Sequence, residues 1–451
     1  MTEYETEIGR FPKDWEVKRL SEIAELQRGL SYSGKEKSKD EIPDGYLFLT
    51  LNSIKEGGGL KEDGWTWIKS DRLKERHFVR EGDIVIANTD IGMQRGHILG
   101  APAIVRFPEW YKKDKAVFSH HISKLLLKVS NIDVNFLFYY LSFVQPLARK
   151  YHTGTGVWGL NVDSWAKDLL VPLPPLEEQK KIVKILNTVD SIITATTSLI
   201  EKLRVIKEKA LNLLMTGSIW HKEFIDTEIG RFPKDWEVKR LSEIAELQRG
   251  LSYSGKEKSK DEIPDGYLFL TLNSIKEGGG LKEDGWTWIK SDRLKERHFV
   301  REGDIVIANT DIGMQRGHIL GAPAIVRFPE WYKKDKAVFS HHISKLLLKV
   351  SNIDVNFLFY YLSFVQPLAR KYHTGTGVWG LNVDSWAKDL LVPLPPLEEQ
   401  KKIVEIFKVF DNKIETETKY LEHMKRLKEK LLAALMTGKI RVNSIAIGDL
   451  K

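Results

Sequence analysis

The chain has 451 residues, with 70 Lys+Arg against 62 Asp+Glu, a net charge of +8 and no cysteine. At 42% hydrophobic it can bury more than one core, while the absence of Cys excludes disulfide frameworks, Cys-ligated zinc, iron–sulfur clusters and thiol nucleophiles. The opening MTEYETEIGR is acidic and polar, unlike a secretory leader, and the longest apolar run, Phe136–Val144, is too short to span a bilayer, so the chain reads as soluble and cytoplasmic, with a positive balance that permits nucleic-acid binding.

In chain order, LSEIAEL near Leu20 reads as a helix and is followed by a basic loop, RGLSYSGKEKSK (Arg28–Lys39). Short β-rich runs bounded by Gly, Asn, Asp and Pro follow at Tyr46–Leu51, Asp83–Ala87, Ala101–Arg106 and Ala116–Val129. Within the last run His120 and His121 are adjacent, so as strand residues they face opposite ways. That is poor geometry for a shared metal and predicts one buried and one exposed histidine. VNFLFYYLSFVQPLARKY near Val134 reads as a helix with Asp133 as its cap.

At Pro174 the text becomes PPLEEQKKIVKILNTVDSIITATTSLIEKLRVIKEKALNLLMTG. The prolines suit a helix start, Glu177 and Glu178 its first turn, and Gly217 its end. Alternating spacings of three and four place a seam on Ile182, Ile185, Val189, Ile192, Leu199, Leu203, Ile206 and Leu213, with Thr196 and Ala210 as weak members.

From Thr227 the chain repeats itself. Thr6–Val183 recurs at an offset of 221 without one substitution over 178 residues, each copy holding 27 Lys+Arg against 24 Asp+Glu. A second long helix then carries the seam Ile403, Phe407, Phe410, Ile414, Leu421, Met424, Leu431 and Leu435, interrupted by Glu417 and Lys428. The expected fold is α+β: two identical mixed α/β units, joined and separated by two helices of about 60 Å that pair as an antiparallel coiled coil with pseudo-twofold symmetry. Packing of each helix on its own unit is the other arrangement. The boundaries fall at 1–173, 174–217, 218–394 and 395–451.

No phosphate-binding GxxxxGK[ST] loop, HExxH, GxSxG or strand-to-helix GxGxxG occurs. No catalytic or metal-binding residue is assigned, and no cofactor is expected in the chain. Three loops instead suit nucleic acid. For phosphate the candidates are Lys35, Lys37, Lys39, Lys150, Thr153 and Thr155, with Lys256, Lys258, Lys260, Lys371, Thr374 and Thr376 in the second copy. NTDIGMQRGHIL (Asn88–Leu99) supplies candidates for base edges: Asn88, Gln94, Arg95 and His97, with Asn309, Gln315, Arg316 and His318. Each of these loops can equally be ordinary solvated or turn structure, and Trp158 in KYHTGTGVWGLN can be core.

Four elements together resemble a type I restriction–modification specificity subunit. They are PKDWEVKRLSEIAELQRG (from Pro12 and Pro233), REGDIVIANTDIG (from Arg80 and Arg301), TGTGVWGLNVDSWAKDLLVPLPPLEEQKKIV (from Thr153 and Thr374), and the order unit, helix, unit, helix. The resemblance covers almost the whole chain. It implies two target recognition domains reading a split site on double-stranded DNA, and helices that set the spacing and help dock two modification subunits. S-adenosylmethionine would sit on those subunits, and ATP and Mg on the restriction subunits that join them. This chain would do no chemistry itself. Family members commonly carry unlike recognition units. Two identical units related by a pseudo-twofold axis imply an interrupted palindrome instead, with half-site centres about one DNA turn apart. A recognition module serving another effector, a coiled-coil scaffold for protein binding, and an enzyme with a site lacking known motifs are the competing readings.

Overall fold

The computed structural model describes residues 5–6, 9–90, 97–227, 230–311 and 318–442. The chain divides into two compact units. Unit 1 comprises Met1–Thr197 with Lys419–Lys451, and unit 2 comprises Ser198–Thr418. Each therefore holds one copy of the repeat and half of each long helix.

In unit 1 a four-stranded antiparallel sheet has the order Pro102–Ile104, Ile84–Ala87, Ile122–Leu127, Ala24–Arg28. A five-stranded sheet runs Lys37–Ser38, Thr66–Ile68, Tyr46–Leu49, Lys115–Phe118, Phe78–Arg80, with one parallel pair, Tyr46–Leu49 beside Lys115–Phe118. Thr89–Asp90, Trp158–Leu160 and His152–Thr153 make a small third sheet. The strands bury Val, Ile, Leu and Phe, whose branched and aromatic side chains pack well on a pleated surface.

LSEIAEL is helical for only one turn, Leu20–Ile23, before Ala24–Arg28 joins the sheet edge. Ladder bonds to Ile122–Leu127 override a weak local helix preference there. The helix Val134–Val144 is capped as expected: the Asp133 carboxylate accepts from the N–H groups of Asn135 (2.8 Å) and Phe136 (3.1 Å). Beyond it Gln145–Tyr151 tightens to a 3₁₀ helix at Pro146, which has no N–H for the regular ladder. Phe136, Tyr140 and Trp165 form the centre of the main core.

The two long helices span Leu176–Met215 and Leu397–Met436, 40 residues each. In unit 1 the start of the first meets the end of the second in one core containing Ile182, Leu186, Leu435 and Met436. The pairing is antiparallel, since Asp190 of the first helix bonds Lys428 of the second at 2.6 Å. Unit 2 has the mirrored pair, Lys207 with Asp411. Tyr139 donates to Asp190 (2.7 Å) and Tyr360 to Asp411 (2.6 Å). Burial first, then the carboxylate, raises the pKa of the Tyr139 hydroxyl and keeps it a donor. Asp and Lys hold equivalent positions in segments that differ at many others, and a polar pair inside an apolar seam specifies register.

Of the seam expected of the second helix, Ile403, Phe407, Met424 and Leu435 are buried and Phe410, Ile414, Leu421 and Leu431 half-buried, as are Glu417 and Lys428, and none is exposed. The first helix departs from its expected seam. Ile182, Val189 and Leu203 lie on the seam, but Leu199, Ile206 and Leu213 are 38%, 51% and 44% exposed, and Ile185 and Ile192 are half-buried beside it. The seam runs through Leu186, Ile193, Ile200, Lys207 and Leu214, one residue later at every second position. Thr196 is buried, so it is a full member. Both sets are apolar except Lys207, and that lysine turns the sequence pattern towards the wrong set.

Each helix start is bound to its own unit. The Gln179 amide donates to the carbonyls of Asn131 (2.9 Å) and Pro174 (2.8 Å) and accepts from Asp133 N–H (2.8 Å). The buried Glu178 carboxylate accepts from Trp15 Nε1 (3.2 Å) and from Arg441 (2.8 and 2.9 Å). Gln400 and Glu399 repeat these bonds in unit 2, with His221 in place of Arg441.

The seam has a direct test in two neighbouring leucines. Leu214, 2% exposed, packs in the core of unit 2. Leu214→Ala is expected to lower the unfolding free energy of the full chain by about 2–4 kcal/mol, and Leu213→Ala by less than about 1 kcal/mol. Urea titration measures both, and equal losses would contradict this register.

Candidate nucleic-acid interface

The three loops singled out from sequence converge on the two-residue turn His120–His121. The run Ala116–Val129 is not one strand. It breaks at Ser119–His121, and the chain passes there from the five-stranded to the four-stranded sheet. The turn is held on both sides by backbone bonds. His120 N–H donates to Leu30 (2.9 Å), and Leu30 N–H donates to Phe118 (2.8 Å), which brings in the Arg28–Lys39 loop. Asn88 N–H donates to His121 (2.7 Å), and Leu160 N–H donates to Asn88 (2.7 Å), which brings in the other two. A Cβ on Gly29 would lie 2.2 Å from the Phe118 carbonyl oxygen, so only glycine permits this approach.

The histidines therefore do not face opposite ways. Both are half-buried, and their rings lie 3.9 Å apart between centroids, 38° from parallel. Tyr32 stands beside them, 5.9 Å from His120, and also meets Phe48 edge-on at 4.8 Å. His121 Nδ1 is 3.0 Å from the Thr89 hydroxyl. Burial first, then the neighbouring His120, lowers the His121 pKa and favours the neutral ring. No group of three or more His, Asp or Glu among the described residues could hold a metal.

The candidate phosphate residues lie on the rim. Lys35, Lys39, Lys150, Thr153 and Thr155 are exposed, while Lys37 is half-buried with its ammonium 5.7 Å from the Tyr32 ring centre. In unit 2 Lys256, Lys258, Lys260, Lys371, Thr374 and Thr376 are all exposed. The first loop is anchored by Glu36, whose carboxyl is held at about 2, chiefly by the Ser33 N–H and then by the Ser70 hydroxyl and Arg72. Trp158 is half-buried against the core and carries the exposed His152 ring stacked at 4.1 Å.

The candidate base readers separate. Asn88 is 4% exposed, and its amide donates to the Ser123 hydroxyl at 2.9 Å. It shapes the base of the loop, as Asn309 does with Ser344. His97 and His318 are half-buried and paired with Glu56 and Glu277. Gln94, Arg95, Gln315 and Arg316 lie outside the described residues. His120, His121, Tyr32 and Thr89 were not among the candidates. The signal was the length of the Ala116–Val129 run, fourteen residues, where strands are usually 3–10 and where Ser-His-His interrupts the apolar text.

The model of the type I restriction modification DNA specificity domain matches residues 12–205 and again 233–426. The chain belongs to this family. Its curated relatives include the type I restriction enzyme MjaVIII specificity subunit of Methanocaldococcus jannaschii, 28% identical, spanning 97% of this chain and 95% of the relative. The putative MjaX specificity subunit of the same organism is 30% identical over 97% and 96%. The EcoKI specificity subunit of Escherichia coli K12 is 22% identical over 96% and 90%. Among solved structures, the S subunit of a type I restriction–modification system from M. genitalium gives a TM-score of 0.52 at 15% identity, covering 93% of this chain and 96% of that one. A chain from a study of type I complex assembly gives 0.55 at 18%, covering 95% and 99%. These two support the fold. No helix among the described residues is long and apolar enough to cross a membrane.

If Asn88 shapes the loop, its loss is felt without DNA. Asn88→Ala with Asn309→Ala is expected to destabilise each unit by about 1–3 kcal/mol, because a buried hydroxyl loses its donor. Thermal unfolding of the free protein checks this, and an unchanged midpoint would return Asn88 to the base readers.

Proposed function

We propose that this chain is the DNA specificity subunit of a type I restriction–modification complex. The observation that carries the reading is the family match, present twice and covering both units and the helix starts. The site adds physical support: each unit brings three loops to one turn, with exposed lysines and threonines around it. The loops carry the DNA contacts, and the helices carry the docking of two modification subunits and of the restriction subunits that join them. Methyl transfer and cleavage, with S-adenosylmethionine, ATP and Mg, belong to those partners. This chain selects the sequence and catalyses nothing.

Because the same unit occurs twice and the long helices pair antiparallel, the two copies read one half-site on opposite strands. The target is then an interrupted palindrome. Arg95 and Arg316 are the side chains best suited to a guanine edge, by the bidentate geometry of guanidinium.

Expressed with its modification subunit in a host free of adenine methylation, the chain is expected to direct methylation to one motif. Methylation that is independent of this chain would reject the reading. Replacing Lys35, Lys39, Lys256 and Lys260 by Ala should weaken binding of the assembled complex to every sequence and reduce the salt slope by about 0.9 for each phosphate that is no longer neutralised. Arg95→Ala with Arg316→Ala should instead relax one base position per half-site, at about 1–3 kcal/mol per arginine. Methylation of the same motif at unchanged efficiency would remove the arginines.

A further inference from the structure

The geometry points to the histidine turn, His120–His121 and its copy His341–His342, as a base-reading element that places imidazole Nε2 atoms against the major-groove edge of one base pair in each half-site. The inference rests on the specificity reading above and names the side chains by which that site discriminates.

The turn lies where the three candidate loops meet, and it is anchored by one backbone bond at each of its two residues. His120 N–H and the His121 carbonyl are bonded to Leu30 and Asn88 at 2.9 and 2.7 Å. The peptide groups are thus fixed, and both rings leave the turn on one side, 3.9 Å apart in the first copy and 4.0 Å in the second. One edge of each ring is turned inward. His121 Nδ1 meets the Thr89 hydroxyl at 3.0 Å, and His120 Nδ1 faces the Leu30 carbonyl at 3.4 Å. The second copy repeats both contacts at 3.0 and 3.4 Å. Among the described residues, the Nε2 atoms make no hydrogen bond. A ring fixed on one nitrogen and open on the other is positioned for a partner outside the unit.

The chemistry of that partner follows from the inner contacts. A carbonyl oxygen only accepts, so the His120 Nδ1 facing Leu30 carries the hydrogen, and in the neutral ring Nε2 is an acceptor. In the major groove the complementary group is an exocyclic amino donor, N4 of cytosine or N6 of adenine. Burial and the adjacent ring favour the neutral form of His121, which suits a hydrogen bond to a base rather than an ion pair with phosphate. Phosphate is served by the lysines around the turn. The tilted, contacting pair also loses little rotamer freedom on binding, because Tyr32 and the neighbouring ring already restrict it.

The test uses the full chain assembled with its modification subunit, on duplexes carrying the mapped target and each of its single-base-pair variants. His120→Ala with His341→Ala, and His121→Ala with His342→Ala, are compared with wild type for methylation rate, with the unfolding midpoint followed in parallel. The expected result is a rate loss on the cognate duplex of about 5- to 150-fold per histidine. Cognate-to-variant discrimination should also collapse at one base pair per half-site and stay unchanged elsewhere. If the alanine variants fold poorly, His120→Gln and His121→Gln with their second-copy equivalents fill the space with an amide and should shift the preference at that same base pair. Unchanged discrimination at every position, or an equal loss on all duplexes as for a phosphate-binding lysine, overturns the proposal while leaving the specificity reading intact. A wild-type complex that methylates nothing removes that reading, and the histidine proposal with it.

Discussion

The architecture depends on two buried side chains at the start of each long helix. Gln179 uses both amide hydrogens and its oxygen on the backbone of Asn131, Pro174 and Asp133. Glu178 closes on Trp15 and Arg441. An unpaired amide or carboxylate at such depth would be costly, so these bonds fix the helix direction relative to the recognition unit. Asp133 is also the cap of the Val134–Val144 helix, and that helix packs in the same core as the long helix. A short motif, Pro-Pro-Leu-Glu-Glu-Gln, thereby couples the surface that holds the loops to the element that carries the unit. In unit 2 the same socket takes His221 where unit 1 takes Arg441, so its geometry is kept although the residue filling it is not.

Much of this was legible in the sequence. The repeat set the number of units, and the proline-flanked glutamates set where the helices begin. The seam of the first helix was misplaced because two adjacent stripes are both apolar, and the true one contains a lysine. The second copy held the answer. Phe407, Ile414, Leu421, Lys428 and Leu435 are the equivalents of Leu186, Ile193, Ile200, Lys207 and Leu214. Its rival stripe carries Lys413 and Ala434, and so is visibly the poorer one. A register that is ambiguous in one sequence is resolved by requiring both copies to bury equivalent positions.

The site was legible as loops and not as side chains. Glycines, lysines and hydroxyls marked the three segments, because turns demand glycine locally and the proposed phosphate contacts would use lysines and hydroxyls. Their convergence depends on sheet pairing between residues far apart in sequence, such as Leu30 with Phe118 and Leu160 with Asn88, which no local pattern encodes. The same non-local bonds turned Asn88 inward, paired His97 with Glu56, and made a turn of what looked like the middle of a strand.

Identity between the two units is the constraint with the largest functional consequence. On the proposed function, two readers with the same residues and the same inner contacts would have the same preference, and the two halves of the target would match. The direct measurement is a map of methyladenine across a genome exposed to the assembled complex. The account predicts a single interrupted palindrome, with the modified adenine at symmetric positions on both strands. A motif with two unlike halves would contradict it.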